Sequence, residues 1–361
     1  MGDGVSSMIK YIGSKRVLVT AIVSIVEALP GVRTVLDLFS GTARVGHALK
    51  RAGYEVTAND HTTYAYTVAQ CYVQADAEAV LPEARRVLDE LAHVPPRSGW
   101  FTETYCRRSR FFHPKNGARI EAMREAIDAW GLTGDTRAVL LTALMEAADR
   151  VDSTVGVQMA YLKQWARRAH NDLELRVPDV LSGPGRAVQM EAVDAARRFP
   201  ADLVYLDPPY NQHRYLANYH IWETLVRWDQ PEVYGVACKR VDCKRYKSPF
   251  NSKRRIHRAM RDVVEATNAR YLLVSFNNEG HISRAEMEEL LSEHGEVLVI
   301  ARDHDRYVGA RIGIYNPDGE KVGQVSHVRN KEYLYLVGDN ADALADAAQA
   351  CQPAVEQRTL F

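Results

Sequence analysis

The residues with the clearest chemistry in this chain are Asp207-Pro208-Pro209-Tyr210. They close an apolar run, Ala201-Asp202-Leu203-Val204-Tyr205-Leu206, whose length and β-branched content predict a buried strand. Two prolines stop the ladder and stiffen the loop. An acid and a ring are then held at the carboxyl end of a strand, where open α/β sheets place their ligands. A fixed acceptor beside a flat apolar face suits a planar group with an exocyclic amine. The amine donates to Asp207 and the ring stacks on Tyr210.

A second constellation precedes it. Asp37-Leu38-Phe39-Ser40-Gly41-Thr42-Ala43-Arg44-Val45-Gly46 reads as a strand-to-helix turn with glycines at its tight points. About 20 residues on, the next strand ends at Asp60, where an acid accepts ribose hydroxyls in nucleotide-binding folds. A Gly-rich turn alone is a weak signal, and its position before Asp60 strengthens it.

The elements that must position these residues follow from punctuation and periodicity. Thr34 to Phe39 is a strand, Val45 to Arg51 opens a helix that Gly53 ends, and Tyr54 to Ala58 is a second strand. Strand, helix, strand is the unit of a parallel sheet. From 75 to 186 the pattern turns helical and strand-poor, with Ile120, Met123, Ile127 and Trp130 at helical spacing. Strands resume at Ala187–Met190, then before Asp207, and again at Tyr271–Phe276, Glu296–Ile300 and Tyr333–Val337. The segment Ala310–Ile314 is a candidate to pair with one of them. The expectation is an α/β fold whose sheet is formed by 8–74 and 187–337. The 75–186 block is a helical insertion, and 339–361 a flexible tail.

Composition sets few limits. Forty-six basic residues balance 46 acidic ones, so any polyanion signal must be local. It is present between 239 and 258, where nine Lys or Arg residues face one acid. Lys239, Arg240, Lys244, Arg245, Lys247, Lys253, Arg254 and Arg255 are the candidate phosphate contacts. Arg107-Arg108-Ser109-Arg110 is a weaker one. No apolar run is long enough to span a membrane, and the first residues carry no secretory pattern. Five scattered cysteines point to a reducing compartment, and neither they nor the histidines have metal-ligand spacing. No metal is expected, and a cytoplasmic location is.

In order along the chain, Lys10-Tyr11-Ile12-Gly13-Ser14-Lys15, Phe39-Ser40-Gly41 and Asp-Pro-Pro-Tyr resemble the alpha-class (D12) DNA adenine-N6 methyltransferases. Asn211, Asn218-Tyr219-His220, Ser275–Gly280 and Asn330–Leu334 resemble the branch of the modification methyltransferase that partners the FokI restriction enzyme. The resemblance covers 8 to 337. It implies a Rossmann-like sheet, S-adenosylmethionine as methyl donor, double-stranded DNA as substrate and a bacterial, nucleoid-associated location. Cofactor contacts would come from Tyr11, Lys15, Asp37, Phe39, Ser40, Gly41, Asp60 and Asp207, with Asp194 as the acid that reads the cofactor adenine. Lys10 and Asn211 join the candidate DNA contacts. One departure is Ala43, where the family usually has glycine.

In this reading Asp207 and the Pro208 carbonyl accept the two hydrogens of an adenine amine. No Pro-Cys pair exists for cytosine-C5 chemistry. The adenine must be flipped out of the duplex, and Trp222 is a candidate to line its pocket. The insertion is a candidate target-recognition region. An RNA base methyltransferase is the alternative enzyme, although Asp37 and Asp207 stand 170 residues apart, farther than is usual there. A catalytically weak DNA-binding module is the alternative from another class. Gln357, Leu360 and Phe361 resemble a peptide that docks on the DNA sliding clamp, and any restriction endonuclease would be a separate chain.

Overall fold

In the computed structural model, residues 8–13, 15–305, 314–315, 321–323 and 329–351 are described. A seven-stranded sheet runs through the chain in the order β3-β2-β1-β4-β7-β11-β8. The strands are β1 Thr34–Asp37, β2 Glu55–Asn59, β3 Gly185–Val188, β4 Ala201–Leu206, β7 Ala269–Asn277, β8 Glu296–Asp305 and β11 Arg329–Gly338. β1 to β4 and β7 are parallel, and β11 runs antiparallel to both β7 and β8. Two short pairs stand apart: β5 (Val233–Tyr234) with β6 (Lys239–Arg240), and β9 (Ile314–Tyr315) with β10 (Lys321–Gly323). Ile314 therefore pairs within its own hairpin rather than with the sheet, while 310–313 fall outside the described residues.

The alternation of the strands divides the core into two layers. Val35, Val56, Leu203, Leu273 and Leu334 point to one face, and Leu36, Val204, Leu206, Leu272 and Val274 to the other. The first face is covered by helix Val19–Ala28 and by the helices of the 75–186 block. The second is covered by helices Ala192–Arg198, Ile256–Ala266 and Arg284–Ser292. Asp202, inside the β4 run, is no misplaced acid. It accepts from the N–H groups of Arg33 and Thr34 and from the Thr34 hydroxyl, all within 2.9 Å, and so fixes β4 beside β1.

The insertion is built mainly on helices Ala77–Ala92, Pro114–Ala129 and Gly134–Arg150, with shorter helical turns between the first two and in the largely irregular stretch that follows. It shares one hydrophobic cluster with helix His220–Arg227, which follows the catalytic loop. Trp222 lies in that cluster at 1% exposure, against Phe112, and does not line the cleft as the sequence reading allowed. The tail is also not wholly loose. Ala341–Ala350 is a helix capped by the Asn340 side chain, burying Ala343, Leu344, Ala347 and Ala348. Its alanines give helix propensity and a flat face for docking. Gln357, Leu360 and Phe361 lie outside the described residues.

Candidate active site

The sheet reverses its build direction at β1 and β4, which sit side by side at its centre. The loops leaving their carboxyl ends must diverge, and a cleft opens between them. The cleft is about 1180 Å³ including its open mouth. It is lined by Tyr11, Lys15, Asp37, Phe39, Ser40, Gly41, Asp60 and Asp207, among others. Eight of the nine residues that the resemblance implies as cofactor contacts thus line one cavity, and Asp194 does not.

The β1 turn is held by its own polar groups. Asp60, just after β2, accepts from the Gly41 N–H at 3.0 Å and from the N–H and hydroxyl of Thr62 at 2.9 and 2.8 Å. Burial raises the Asp60 pKa against the pull of these donors. Gly41 has φ +53, and a Cβ there would come within 3.3 Å of the Tyr11 ring, so a side chain would meet both strain and crowding. Ala43, buried completely, adopts φ 57 at the start of helix Arg44–Arg51. This is the strained left-handed state that a glycine would take without cost. The Asp37 Oδ2 accepts from the Gly46 N–H at 3.1 Å, while its Oδ1 and the Ser40 hydroxyl are buried with no hydrogen-bond partner among the described residues. Burial first, and then the charge of Asp207, push the Asp37 carboxyl up to about 8.

Asp207 stands across the cleft. Its Oδ1 is 3.1 Å from Lys15 Nζ, and 19% of its side chain remains open. Burial pushes its carboxyl up to about 6, Lys15 pulls it down, and Glu332 adds to the rise. Lys15 lies between Asp207 and Glu332. Burial works against its charge, yet the two carboxylates outweigh it and hold the ammonium above its ordinary value. Tyr210 is only 8% exposed and meets Phe276 edge-on at 5.6 Å between centroids. Pro209 lines the cleft, and so does Tyr215, which stacks with Tyr11 at 5.1 Å.

The far wall comes from the segment after β6. Tyr246 stacks on His61 with centroids 4.2 Å apart, and Phe250 packs edge-on to Phe39 at 5.2 Å. The Asn251 amide donates to the carbonyls of Asn211 and His213 at 2.7 and 3.0 Å, tying this segment to the exit of the catalytic loop. His61 is hydrogen-bonded to Glu191 at 3.1 Å. That bond raises the pKa of the imidazole and lowers that of the carboxyl.

A family model described as D12 class N6 adenine-specific DNA methyltransferase matches residues 11–290. The chain belongs to this family. The modification methylase StsI of Streptococcus sanguinis is 30% identical over 302 residues, covering 79% of this chain and 46% of that protein. The type II methyltransferase M.NlaIII of Neisseria lactamica is 28% identical over 338 residues, covering 90% and 99%. M.FokI of Planomicrobium okeanokoites is 29% identical over 307 residues, covering 79% and 47%. The chain thus spans about half the length of StsI and M.FokI.

Against this family background several sequence readings need correction. Asp194 is exposed on helix Ala192–Arg198 and does not line the cleft. The acid there is Glu191, three residues earlier, at the N-cap of that helix. Arg240 does not face DNA. It is 1% exposed and forms paired hydrogen bonds to Asp229 (2.7 and 2.8 Å) and to Asp242. Lys10 is half-buried, with Nζ bonded to the Asp149 carbonyl at 2.7 Å and to Asp152 at 3.0 Å. It ties the N-terminal segment to the insertion. Lys244, Arg245, Lys247, Lys253, Arg254 and Arg255 are exposed, as phosphate contacts require, and Lys239 is partly so. Sequence reasoning assigned no role to Tyr215, Tyr246, Phe250 or Glu332. The first three carry a legible signal, aromatic residues spaced through the polar stretch behind Asp-Pro-Pro-Tyr, whereas Glu332 lies in the Asn330–Leu334 segment of the resemblance, which gave it no role.

Proposed function

We propose that the chain transfers a methyl group from S-adenosylmethionine to the N6 amine of an adenine within a specific double-stranded DNA sequence. The observation that carries this reading is the Asp207 carboxylate, rigidly placed by two prolines at the edge of the cleft, half-neutralised by Lys15 and still open on one side. The cleft suits the donor. Asp60 and Glu191 offer acceptors for ribose and adenine, Phe39, Tyr246 and Phe250 offer flat apolar walls, and the Asp37 Oδ1 and Ser40 hydroxyl, unpartnered among the described residues, remain for polar groups. When bound, the donor supplies a methyl group already activated by a sulfonium.

The protein's task is therefore to position and strengthen a weak nucleophile. Asp207 and the Pro208 carbonyl accept the two amine hydrogens and draw the nitrogen towards a tetrahedral geometry. The Tyr210 face is where the base stacks, so arrival of the base must uncover a ring that is 8% exposed. The target atom is hidden inside a duplex, so the adenine is flipped out. The exposed basic residues of 244–255 grip phosphates during that step. The 75–186 helices contribute to sequence choice. Docking of Gln357, Leu360 and Phe361 on the sliding clamp belongs to the same proposal. Loss of clamp binding on removing 357–361 is the expected result, and unchanged binding ends that part.

Transfer of a radiolabelled methyl group to genomic DNA and to ribosomal RNA, by the intact chain and by Asp207→Ala, tests the reading. Label on DNA adenine that drops about 10²- to 10³-fold in the variant is expected. Label on RNA alone, or equal label from both proteins, overturns it.

A further inference from the structure

Glu332 is buried at the catalytic edge and takes no part in the proposed methyl-transfer steps. It pairs in register with Asn277, the last residue of β7. Because β11 runs antiparallel to β7, this register brings Glu332 to the same edge as Asp207, which directly follows β4 on the other side of β7. Its Oε2 is 3.4 Å from Lys15 Nζ, and Asp207 Oδ1 is 3.1 Å from the same nitrogen. The side chains of Glu332 and Lys15 are 8% and 5% exposed. One enclosed ammonium is thus shared by two carboxylates that come from distant parts of the chain.

A one-to-one ion pair away from water is tight, and a carboxylate committed to it has less left to offer a third group. A second carboxylate on the same ammonium divides the pull. The groups that interact with Asp207 are Lys15 and Glu332, with Asp37 and the hydroxyls of Tyr205, Tyr210 and Tyr215 around them. Lys15 is the one cation in this set among the described residues. We propose that Glu332 is a positioning residue that holds Lys15 between itself and Asp207, leaving the Asp207 carboxylate free to accept the amine hydrogens of the base. This rests on the methyl-transfer reading above and assigns the residue that keeps its central carboxylate available. The electrostatics agree in direction: Lys15 lowers the Asp207 pKa and Glu332 raises it.

Glu332→Gln keeps the size and removes the charge. The test is a carbon-13 NMR titration of the Asp207 carboxyl in the full chain, without DNA or donor, alongside the pH profile of kcat/KM. The expected result is an Asp207 midpoint lower than in the parent by roughly half a pH unit or more. The acid limb of kcat/KM moves the same way, and kcat falls about tenfold. A merely structural role would lower the thermal midpoint and leave the titration where it was. An unmoved Asp207 midpoint in the folded variant overturns the proposal. If the Gln variant does not fold, Glu332→Asp decides. Its shorter carboxylate must also lower the midpoint, and a parental value overturns the proposal. A parent chain that methylates no DNA would sink the proposed function instead, and the titration would still report on Glu332.

Discussion

The carboxyl edge of the sheet and the basic segment behind the catalytic loop show opposite uses of charge. At the edge, Asp37, Asp60 and Asp207 are drawn inward beside a cavity, and burial raises the pKa of each. In the segment from 239 to 255, most basic side chains stay in solvent. The exception teaches most. Arg240, in the same run as Lys244 and Arg245, is enclosed by Asp229 and Asp242 and anchors the β5–β6 hairpin against helix His220–Arg227. A charge inside the protein fixes geometry or does chemistry, because leaving it unpaired is expensive. A charge outside is cheap to keep and available to a partner.

The sharpest way to break this contrast is Arg240→Ala. It removes the buried partner of Asp229 and Asp242, which keep Arg227 and about a third of their surface in water, and should cost about 1–3 kcal/mol of folding stability, read by chemical denaturation. Alanine at Lys253, Arg254 and Arg255 together should leave that denaturation curve in place. It should flatten the salt dependence of DNA binding by up to about 3 in log–log slope, since each lost phosphate contact removes about 0.9. A large stability loss from the triple variant, or none from Arg240→Ala, would reverse the assignment of inside and outside.

The pH response sharpens the acidic half. Asp207 must be ionised to accept the amine hydrogens, so kcat/KM should fall about tenfold per pH unit below about 6. Stability has the opposite sign. The folded chain holds this proton more tightly than the unfolded one, whose value is near 3.8, so lowering pH from about 6 towards 3.8 adds to the stability contributed by Asp207. Activity lost together with the fold in that window would argue against Asp207 as the titrating group. The smallest expected effect is at Ala43. Glycine there relieves the φ 57 strain but loosens the unfolded chain, for a net gain of roughly 0.5 kcal/mol in thermal unfolding.

Much of the site was legible because it is local. The strand Ala201–Leu206 matches β4 residue for residue, and the turn from Asp37 to Gly46 and the acid at Asp60 lie within one strand-helix-strand unit whose spacing the chain itself sets. The Asp194 reading rested on the resemblance alone, and it failed because helix Ala192–Arg198 leaves that side chain in solvent while its N-cap, Glu191, lines the cleft. Arg240 failed because neither of its partners can be told from an ordinary surface acid by position alone. The tail reading failed because an alanine-rich, polar-looking stretch folds once a surface, here helix Val19–Ala28, is offered to it.

By itself the sequence determined the chemistry that local covalent order can enforce: an acid stiffened by two prolines, a glycine turn ahead of a helix, and the β-branched runs that must be strands. Only the tertiary structure decided which charges meet. Lys15, Asp207 and Glu332 are separated by up to 317 residues, and no periodicity links them. Their meeting depends on the order in which strands pair and on β11 entering the sheet antiparallel. Those choices are made by burial of both sheet faces, to which many distant residues contribute a little each.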